Sequence, residues 1–544
     1  MRKWWKERIA YQIYPRSFQD SNGDGIGDIP GIISRLDELK ELGIGIIWLS
    51  PVYKSPDVDN GYDISDYRDI NPKFGTMADM ENLFAEAEKR DIKIVMDLVI
   101  NHTSDEHDWF IKSRDKDSPY RDYYIWEMGR YEGKPPNNWT SFFTGSAWEF
   151  DPKSGEYYLH LFDKKQPDLN YRNPKVIEEV KDIMRFWLNK GAAGFRCDVI
   201  NLLFKTTFED GEPNLVAKGR EHFVSQKGTH GILQELRRDV LNHYDCFTVG
   251  EAVFVDIDEA GLLCDPDRAE LDMLFYFDHL EVDRRIGTYL PKKFRANKLL
   301  KVLTKWQIGL NWNALYLENH DQPRIVSHFG DDDGVFWERS AKLLAVLLLT
   351  LRGTPFIYQG QEIGMTNFDY ENFSQLNDIA SLNINKQLRS FFVPLGLRWN
   401  LIKPVSRDNA RTPMQWTAEP GAGFTMGTPW LGINRNHKKI NHQEQKARAD
   451  SILNFYKNMI ALRAANETLK YGEFSPEFTN KQIMSYTRTI AGDEQYAVIL
   501  NFSDQPANVP FEGSLMGTVV VSNVGRSAYD GSLAPWEALV LKVR

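Results

Sequence analysis

At 544 residues with a net charge of −10, the chain is too long for one compact core, and its charge argues against a general binder of nucleic acid or anionic membranes. Hydrophobic residues at 42% and charged residues at 26% are those of an ordinary soluble globular protein, so about two to four packed domains are expected. No stretch approaches the roughly 18 apolar residues of a membrane span.

In chain order, the segment Met1 to Arg8 carries basic residues but no apolar stretch behind them, so no secretory signal is expected and a cytoplasmic protein fits. Asp20-Ser21-Asn22-Gly23-Asp24-Gly25-Ile26-Gly27-Asp28 places oxygen ligands at alternate positions with glycines between, the look of a calcium loop. It is not an EF-hand, because the twelfth position is Gly31; magnesium and an empty polar turn are the alternatives. Predicted strands follow at 9–13, 44–49, 93–98, 194–198, 246–251, 274–277, 314–318 and 354–358, alternating with helical patterns. Eight such strands, several ending in an acid, predict an α/β chain built on a (β/α)8 barrel. The gap between the third and fourth strands, about 103–170, is too long for one crossover and is rich in Trp, Tyr, Phe, Pro and Gly. The apolar run 343–351 reads as a buried helix, and 367–404 as an irregular excursion after the eighth strand. Beyond Tyr471 the pattern turns β-like, with predicted strands at 483–490, 496–502, 518–522 and 538–543, an antiparallel β domain. The expected division is therefore a barrel over 1–102 and 171–470, an insert over 103–170, and a C-terminal domain over 471–544. Three cysteines, Cys197, Cys246 and Cys264, have no paired spacing, so neither a disulfide framework nor a zinc site is expected.

Gly194-Phe195-Arg196-Cys197-Asp198 carries the chemistry. The spacing of two puts Arg196 and Asp198 on one face of a strand, with Cys197 opposite as packing. An arginine beside a carboxylate holds it ionised and aimed, which suits a nucleophile. Further acids stand at strand ends: Glu251 in Phe247-Thr248-Val249-Gly250-Glu251, Asp321 in Glu318-Asn319-His320-Asp321, and Asp97 in Asp97-Leu98-Val99-Ile100-Asn101-His102. Any one alone reads as a salt bridge or cap; the four in this order do not.

In that order the motifs resemble glycoside hydrolase family 13, the α-amylase family, and within it the oligo-1,6-glucosidase and dextran glucosidase branch, over nearly the whole chain. The resemblance implies Asp198 as nucleophile, Glu251 as general acid/base and Asp321 as the group that orients substrate. A retaining glycosidase needs one ionised carboxylate at the anomeric carbon and one protonated carboxyl at the leaving oxygen. Arg196 is expected to keep Asp198 ionised, and nearby negative charge with burial to keep Glu251 protonated. The resemblance further implies that His102 and His320 bond sugar hydroxyls, and that Tyr62, Phe143 and Phe162 line the pocket. Asp59 and Arg407 are expected to pair and close that pocket behind one glucose unit, giving an exo-acting enzyme. It implies a structural calcium held by Asp20, Asn22, Asp24, the Ile26 carbonyl and Asp28, and an inserted domain that walls one side of the site. Aromatics at 13% suit a site that stacks rings on sugar faces.

Gln166-Pro167-Asp168-Leu169-Asn170 matches the motif of the oligo-1,6-glucosidase branch, and Val199 after the nucleophile goes with α-1,6 preference. Phe254, in Glu251-Ala252-Val253-Phe254, departs from the expected pattern and is placed to shape the leaving-group side. The expectation is a retaining exo-α-glucosidase acting on isomaltose and short isomalto-oligosaccharides, a monomer or weak homo-oligomer with a small saccharide as its only partner. Other α-glucosidase specificities (sucrose, trehalulose or α-1,4), a trehalose-6-phosphate hydrolase and a sucrose isomerase are the alternatives. The Arg-Leu-Asp-Arg-Asp segment typical of the last is absent; His279-Leu280-Glu281-Val282-Asp283-Arg284-Arg285 is the nearest stretch. Non-catalytic transporter subunits of the same family lack parts of the triad and carry a membrane anchor, unlike this chain.

Overall fold

The computed structural model describes residues 2–214, 216–285, 290–492, 494–510 and 513–543. Eight parallel strands form its centre: Ala10–Ile13, Ile46–Leu49, Lys93–Leu98, Gly194–Cys197, Phe247–Glu251, Met273–Phe275, Ala314–Leu315 and Thr354–Tyr358. Counted in chain order they neighbour one another as 6-5-4-3-2-1-8-7. Strands 6 and 7 come together at the ends of that order and complete the barrel. The expected (β/α)8 architecture is present, with every predicted barrel strand found. Ile46-Ile47-Trp48-Leu49 is buried throughout, because a parallel strand is covered on both faces. The register pairs Asp97 with Arg196 and Glu251 with Phe275, so the acids emerge at one end of the barrel.

Local signals place the outer helices. Thr76 and Asp79 make a reciprocal capping box for Met77–Lys89. Asn173 caps Pro174–Lys190, which stops at Gly191 with φ 116°, a left-handed conformation that suits glycine. The apolar run near 343–351 lies in the helix Trp337–Thr350, buried without interruption from Ser340 to its end. It packs between the helix Ile452–Ala465 and the C-terminal sheet. No helix among the described residues is long and apolar enough to cross a membrane.

The insert after strand 3 holds a three-stranded antiparallel sheet of Trp126–Glu127, Trp148–Asp151 and Glu156–Leu159, the last in the middle. Its apolar core includes Ile125, Trp139, Trp148 and Leu161 together with Val199, Leu202 and Phe223 from the loop after strand 4. The insert therefore shares its core with residues that directly follow Asp198. A buried ion pair, Lys205 Nζ to Asp168 at 2.7 Å, and a Lys205 bond to Asn101 at 2.9 Å fasten the same junction. The excursion after strand 8 contains two helices, Ile379–Ser390 and Leu395–Ile402.

The C-terminal sheet is antiparallel, in the order Glu473–Thr479, Ile483–Thr489, Gln495–Asn501, Ala538–Lys542, Thr518–Ser522. Glu473–Thr479 was not anticipated. Its Pro476 argues against a central strand, and the strand sits at the sheet edge, where a missing N–H is tolerated.

Strand 4 begins at Gly194 with φ 146°, and a Cβ there would lie 2.1 Å from the Phe247 carbonyl oxygen of strand 5. Gly194→Ala should therefore cost about 3 kcal/mol or more, read as a large drop in melting temperature. An unchanged melt would mean that strands 4 and 5 are not this close.

Candidate active site

Arg196 is 1% exposed and its guanidinium organises the barrel mouth. Its Nη1 donates to Asp97 Oδ1 at 2.9 Å and to Asp198 Oδ1 at 2.6 Å, and its Nη2 donates to Glu251 Oε2. Its Cζ lies 5.1 Å from the Trp48 ring centre and 5.7 Å from that of Tyr62, both in cation–π range. Asp97 Oδ2 accepts from Trp48 Nε1 at 3.1 Å and from the Tyr62 hydroxyl at 3.0 Å. One buried cation thus anchors three strand-end carboxylates.

The two outer carboxylates differ in proton affinity. Burial raises Asp198 to about 6, with Arg196 pulling it back. Burial raises Glu251 further, to about 8, and the negative charges of Asp198 and Asp321 add to the rise. Arg196 does not hold Asp198 at an ordinary carboxylate value, because desolvation outweighs the guanidinium. The order is preserved: near neutrality Asp198 is the ionised member and Glu251 the protonated one.

A second polar cluster faces this pair. Burial works against the charge on Asp321, but the permanent charges of Arg407 and Arg411 beside it hold its pKa well below the usual carboxylate range. Arg411 Nη2 donates to Asp321 Oδ1 at 2.6 Å, and Arg407 Nη1 reaches the same oxygen at 3.3 Å. Gln12 Nε2 donates to His320 Nδ1 at 2.8 Å, which leaves the ring proton on Nε2, 3.1 Å from Asp321 Oδ2. Burial pushes His320 down to about 3, so the ring is neutral. It stacks on Tyr62 at a centroid distance of 5.2 Å.

Arg407 also donates to Asp59 Oδ1 at 3.0 Å through Nη2 and to Asp378 Oδ1 at 2.8 Å through Nε. The Asp59–Arg407 pair is present, and Asp378 makes it a three-residue wall. The Phe143 ring centre lies 5.2 Å from Arg407 Cζ. Gln166 Nε2 donates to Asp59 Oδ2 at 3.3 Å and to the Tyr62 carbonyl at 3.2 Å. His102 is 1% exposed; its Nε2 donates to the Tyr62 carbonyl at 2.9 Å and its Nδ1 lies 3.3 Å from Asn101 Nδ2. Both His102 nitrogens are therefore engaged within the protein, holding the Tyr62 loop.

The remaining predicted residues form a rim. Phe162 packs against His102 and Phe143, stacks on Phe142 at 5.1 Å, and Phe142 stacks on Phe254 at 6.1 Å. Phe254 is 48% exposed, with φ 56°, and Arg220 lies over its ring at 5.1 Å. Val199 has φ 35° and ψ 43°, a left-handed conformation that a β-branched residue rarely adopts. Its N–H reaches Glu251 Oε2 at 3.5 Å, and its side chain packs in the core of the insert.

Sequence reasoning did not single out Trp48, Phe142, Asp378 or Arg411. Arg411 had a usable signal, since it stands four residues after Arg407 on one helical turn, Asp408–Arg411. Asp378 is legible as the N-cap of Ile379–Ser390, but its turn toward Arg407 is a tertiary fact.

The alpha-amylase catalytic domain matches residues 12–472. The chain belongs to the α-amylase family. It is 50% identical to an oligo-1,6-glucosidase of Parageobacillus thermoglucosidasius, over 100% of this chain and 99% of the relative. It is 42% identical to a trehalose-6-phosphate hydrolase of Bacillus subtilis, over 99% and 98% of the two chains. The crystal structure of isomaltulose synthase from Klebsiella sp. LX3 matches with a TM-score of 0.96 and 43% identity, over all of both chains. This branch of the α-amylase family thus joins one fold to several saccharide chemistries.

The loop 20–28 forms a hydrogen-bond network of its own. Asp20 accepts backbone N–H bonds from Asn22, Gly23 and Gly25 at 3.0, 2.8 and 2.9 Å, and a bond from the Thr425 hydroxyl. Asn22 accepts from Asp24 N at 2.9 Å, Asp24 from Ile26 N at 2.8 Å, and Asp28 from Gly31 N at 2.7 Å as a helix N-cap. Each alternate side-chain oxygen curls over the loop, and the set is all hard oxygen, which fits calcium. No group of three or more His, Cys, Asp or Glu among the described residues could hold a metal, so such a site would depend on Asn22 and the Ile26 carbonyl as well.

Arg196→Leu strands three buried carboxylates. It should cost about 3–5 kcal/mol near neutral pH. Without the cation their folded pKa values rise further above the unfolded values, so the folded chain gains protons as pH falls. The deficit in stability should therefore be larger at about pH 8 than at about pH 5. Denaturant melts of variant and wild type at both pH values measure it, and a pH-independent deficit would contradict the electrostatic account.

Proposed function

We propose that the chain is a retaining, exo-acting α-glucosidase that hydrolyses terminal α-1,6-glucosidic bonds of isomaltose and short isomalto-oligosaccharides. The observation that carries this reading is the Asp198–Glu251 pair, held on neighbouring nitrogens of one guanidinium with the proton on Glu251. Asp198 attacks the anomeric carbon while Glu251 gives its proton to the departing glycosidic oxygen, and a glycosyl–enzyme ester forms. Glu251, now ionised, takes a proton from water; the water oxygen attacks the anomeric carbon and releases Asp198. Two inversions give net retention. Asp321, ionised and held by Arg411, positions the sugar hydroxyls and stabilises positive charge on the ring in the transition state. The Asp59–Arg407–Asp378 wall stops the pocket behind one glucose unit, which supports cleavage from chain ends.

The α-1,6 preference is supported by likeness to oligo-1,6-glucosidases of Parageobacillus thermoglucosidasius and Bacillus cereus, at 50% and 48% identity, and by the Gln166–Asn170 motif and Val199. Sucrose isomerisation is the second reading, favoured by the structural likeness to isomaltulose synthase, and the sequence at 279–285 speaks against it. A cytoplasmic location suits three free thiols, Cys197, Cys246 and Cys264.

The test is a panel of isomaltose, maltose, sucrose, trehalose and trehalose-6-phosphate, with the first-formed anomer followed by NMR. Isomaltose should have the highest kcat/KM and release α-glucose. Released β-glucose, or isomaltulose made from sucrose, would sink this reading. Activity requires Asp198 ionised and Glu251 protonated, so kcat/KM should fall as pH drops below about 6 and again as pH rises above about 8.

The same reading assigns a structural calcium to Asp20, Asn22, Asp24, the Ile26 carbonyl and Asp28, remote from the chemistry. A cation that binds the folded chain selectively adds about 2.7 kcal/mol at a hundredfold excess over Kd. A chelator should therefore lower the melting temperature, and added calcium should restore it. A melt indifferent to both removes the assignment.

A further inference from the structure

The helix Ile379–Ser390 starts at the pocket wall, where Asp378 caps it and holds Arg407. Its 12 residues carry the chain about 18 Å from that cap, to a tight turn before the helix Leu395–Ile402. Four large apolar side chains are bare at this turn: Phe391 at 68%, Phe392 at 93%, Leu395 at 62% and Leu397 at 52% exposure. A contiguous apolar patch of more than a few hundred Å² is uncommon on a protein surface and marks a site of interaction. Two nearly free phenyl rings, each about 150–250 Å², with two leucines beside them, reach that size.

The turn is built to hold these side chains out. The Phe392 N–H donates to the Arg389 carbonyl and the Val393 N–H to the Leu388 carbonyl, both at 3.0 Å, the pair of bonds that ends a helix through one left-handed residue. That residue is Phe392, with φ 58°, where glycine is usual. Behind the turn, buried Arg398 donates to the Val393 carbonyl at 3.0 Å and to Asn385 Oδ1, pinning the second helix to the first. Strain and an exposed ring thus fall on the same residue, and the ring meets almost nothing that would offset either. Charge says what covers the turn. From Ile379 to Ser406 there is no Asp or Glu, against Lys386, Arg389, Arg398 and Lys403. Lys403 pairs with Asp369 at 2.7 Å. The exposed side chains of Lys386 and Arg389 have no hydrogen bond or ion pair among the described residues. This end is therefore locally cationic on a chain of net charge −10, and a two-fold contact with a second copy here would set cation against cation. An anionic surface with an apolar interior answers both features, and rings without groove walls around them suit insertion into a fluid layer.

We propose that the turn is a peripheral docking tip for an anionic lipid surface, seating Phe391, Phe392, Leu395 and Leu397 among the headgroups while Lys386 and Arg389 meet the lipid phosphates. The tip does not depend on which bond the catalytic pocket cleaves.

Vesicles of phosphatidylglycerol and phosphatidylcholine in equal parts are the probe, with the full chain counted by co-sedimentation. The chain should bind them more tightly than vesicles of phosphatidylcholine alone, and added salt should weaken the binding. Phe391→Ser combined with Phe392→Gly should weaken it about tenfold or more, as expected from the apolar surface removed. Glycine relieves the positive φ, so Phe392→Gly alone should raise the melting temperature, and lost binding then does not reflect a damaged fold. Lys386→Gln and Arg389→Gln should each weaken binding about fivefold. No co-sedimentation of wild type with the anionic vesicles, or equal co-sedimentation of wild type and the double variant, overturns the proposal. A wild-type dimer in sedimentation velocity that the double variant dissolves gives the face to a second copy and overturns it as well. Isomaltose hydrolysis in solution is read separately, so an inactive chain would count against the catalytic reading alone.

Discussion

The carboxylates of Asp97, Asp198 and Glu251 at the barrel mouth share one buried guanidinium, and the nucleophile and acid depend on it. Arg196 emerges from strand 4 and holds carboxylates from strands 3 and 5 as well as its own neighbour Asp198. A charge buried this deeply is tolerable only because its partners are charged and aimed at it. The planar fork of arginine can direct separate N–H groups at several acceptors, which a lysine ammonium cannot do in a fixed geometry. The parallel register does the rest, since it sets Asp97 beside Arg196 on adjacent strands. The spacing of nucleophile and acid is thus a property of the sheet, not of mobile loops.

The insert is tied to that centre through the chain that leaves it. Val199 follows Asp198 in a left-handed conformation, which for a branched residue stores strain of order 1–3 kcal/mol. The insert's apolar core takes up the Val199 side chain and offsets that strain. The wall that ends the pocket is therefore anchored on several elements: Asp59 after strand 2, Asp378 and Arg407 after strand 8, and Phe143 from the insert. Gln166 bridges two of them through Asp59 and the Tyr62 carbonyl.

The fold was largely legible because parallel barrel strands are continuous apolar runs, and those runs end in acids where the chemistry is. Asp198 and Glu251 stand at strand ends, whereas Asp321 lies six residues past Leu315, where strand 7 stops, and is marked by its motif and not by a strand end. Two kinds of feature escaped. The edge strand Glu473–Thr479 is polar and contains Pro476, so its pattern reads as loop until a neighbour fixes it. Phe142 and Asp378 act through partners far away in sequence, and nothing local distinguishes an aromatic in a rim from one in a core. His102 shows the converse: its motif pointed to the substrate, while both ring nitrogens are engaged by Asn101 and Tyr62.

The charge balance explains why the proton rests where catalysis needs it. Among the described residues, Asp59, Asp97, Asp198, Glu251, Asp321 and Asp378 form ion pairs with only Arg196, Arg407 and Arg411 as permanent cations. Negative charge is in excess, so the most weakly supported carboxylate keeps a proton. Asp321 has two guanidiniums and is the last to accept one. Asp378 shares Arg407 and takes the Ser381 hydroxyl as the cap of its helix. Asp198 has Arg196 and gains from a hydrogen bond with protonated Glu251. Glu251 has the Arg196 Nη2 contact and a long approach from the Val199 N–H, with the charges of Asp198 and Asp321 both acting against its ionisation. It is therefore the natural acid. When it surrenders its proton to a leaving group, Asp198 has just been neutralised as an ester, and the charge that opposed ionisation of Glu251 has gone. The pair exchanges charge without changing its total, so Arg196 can serve both states from one fixed position.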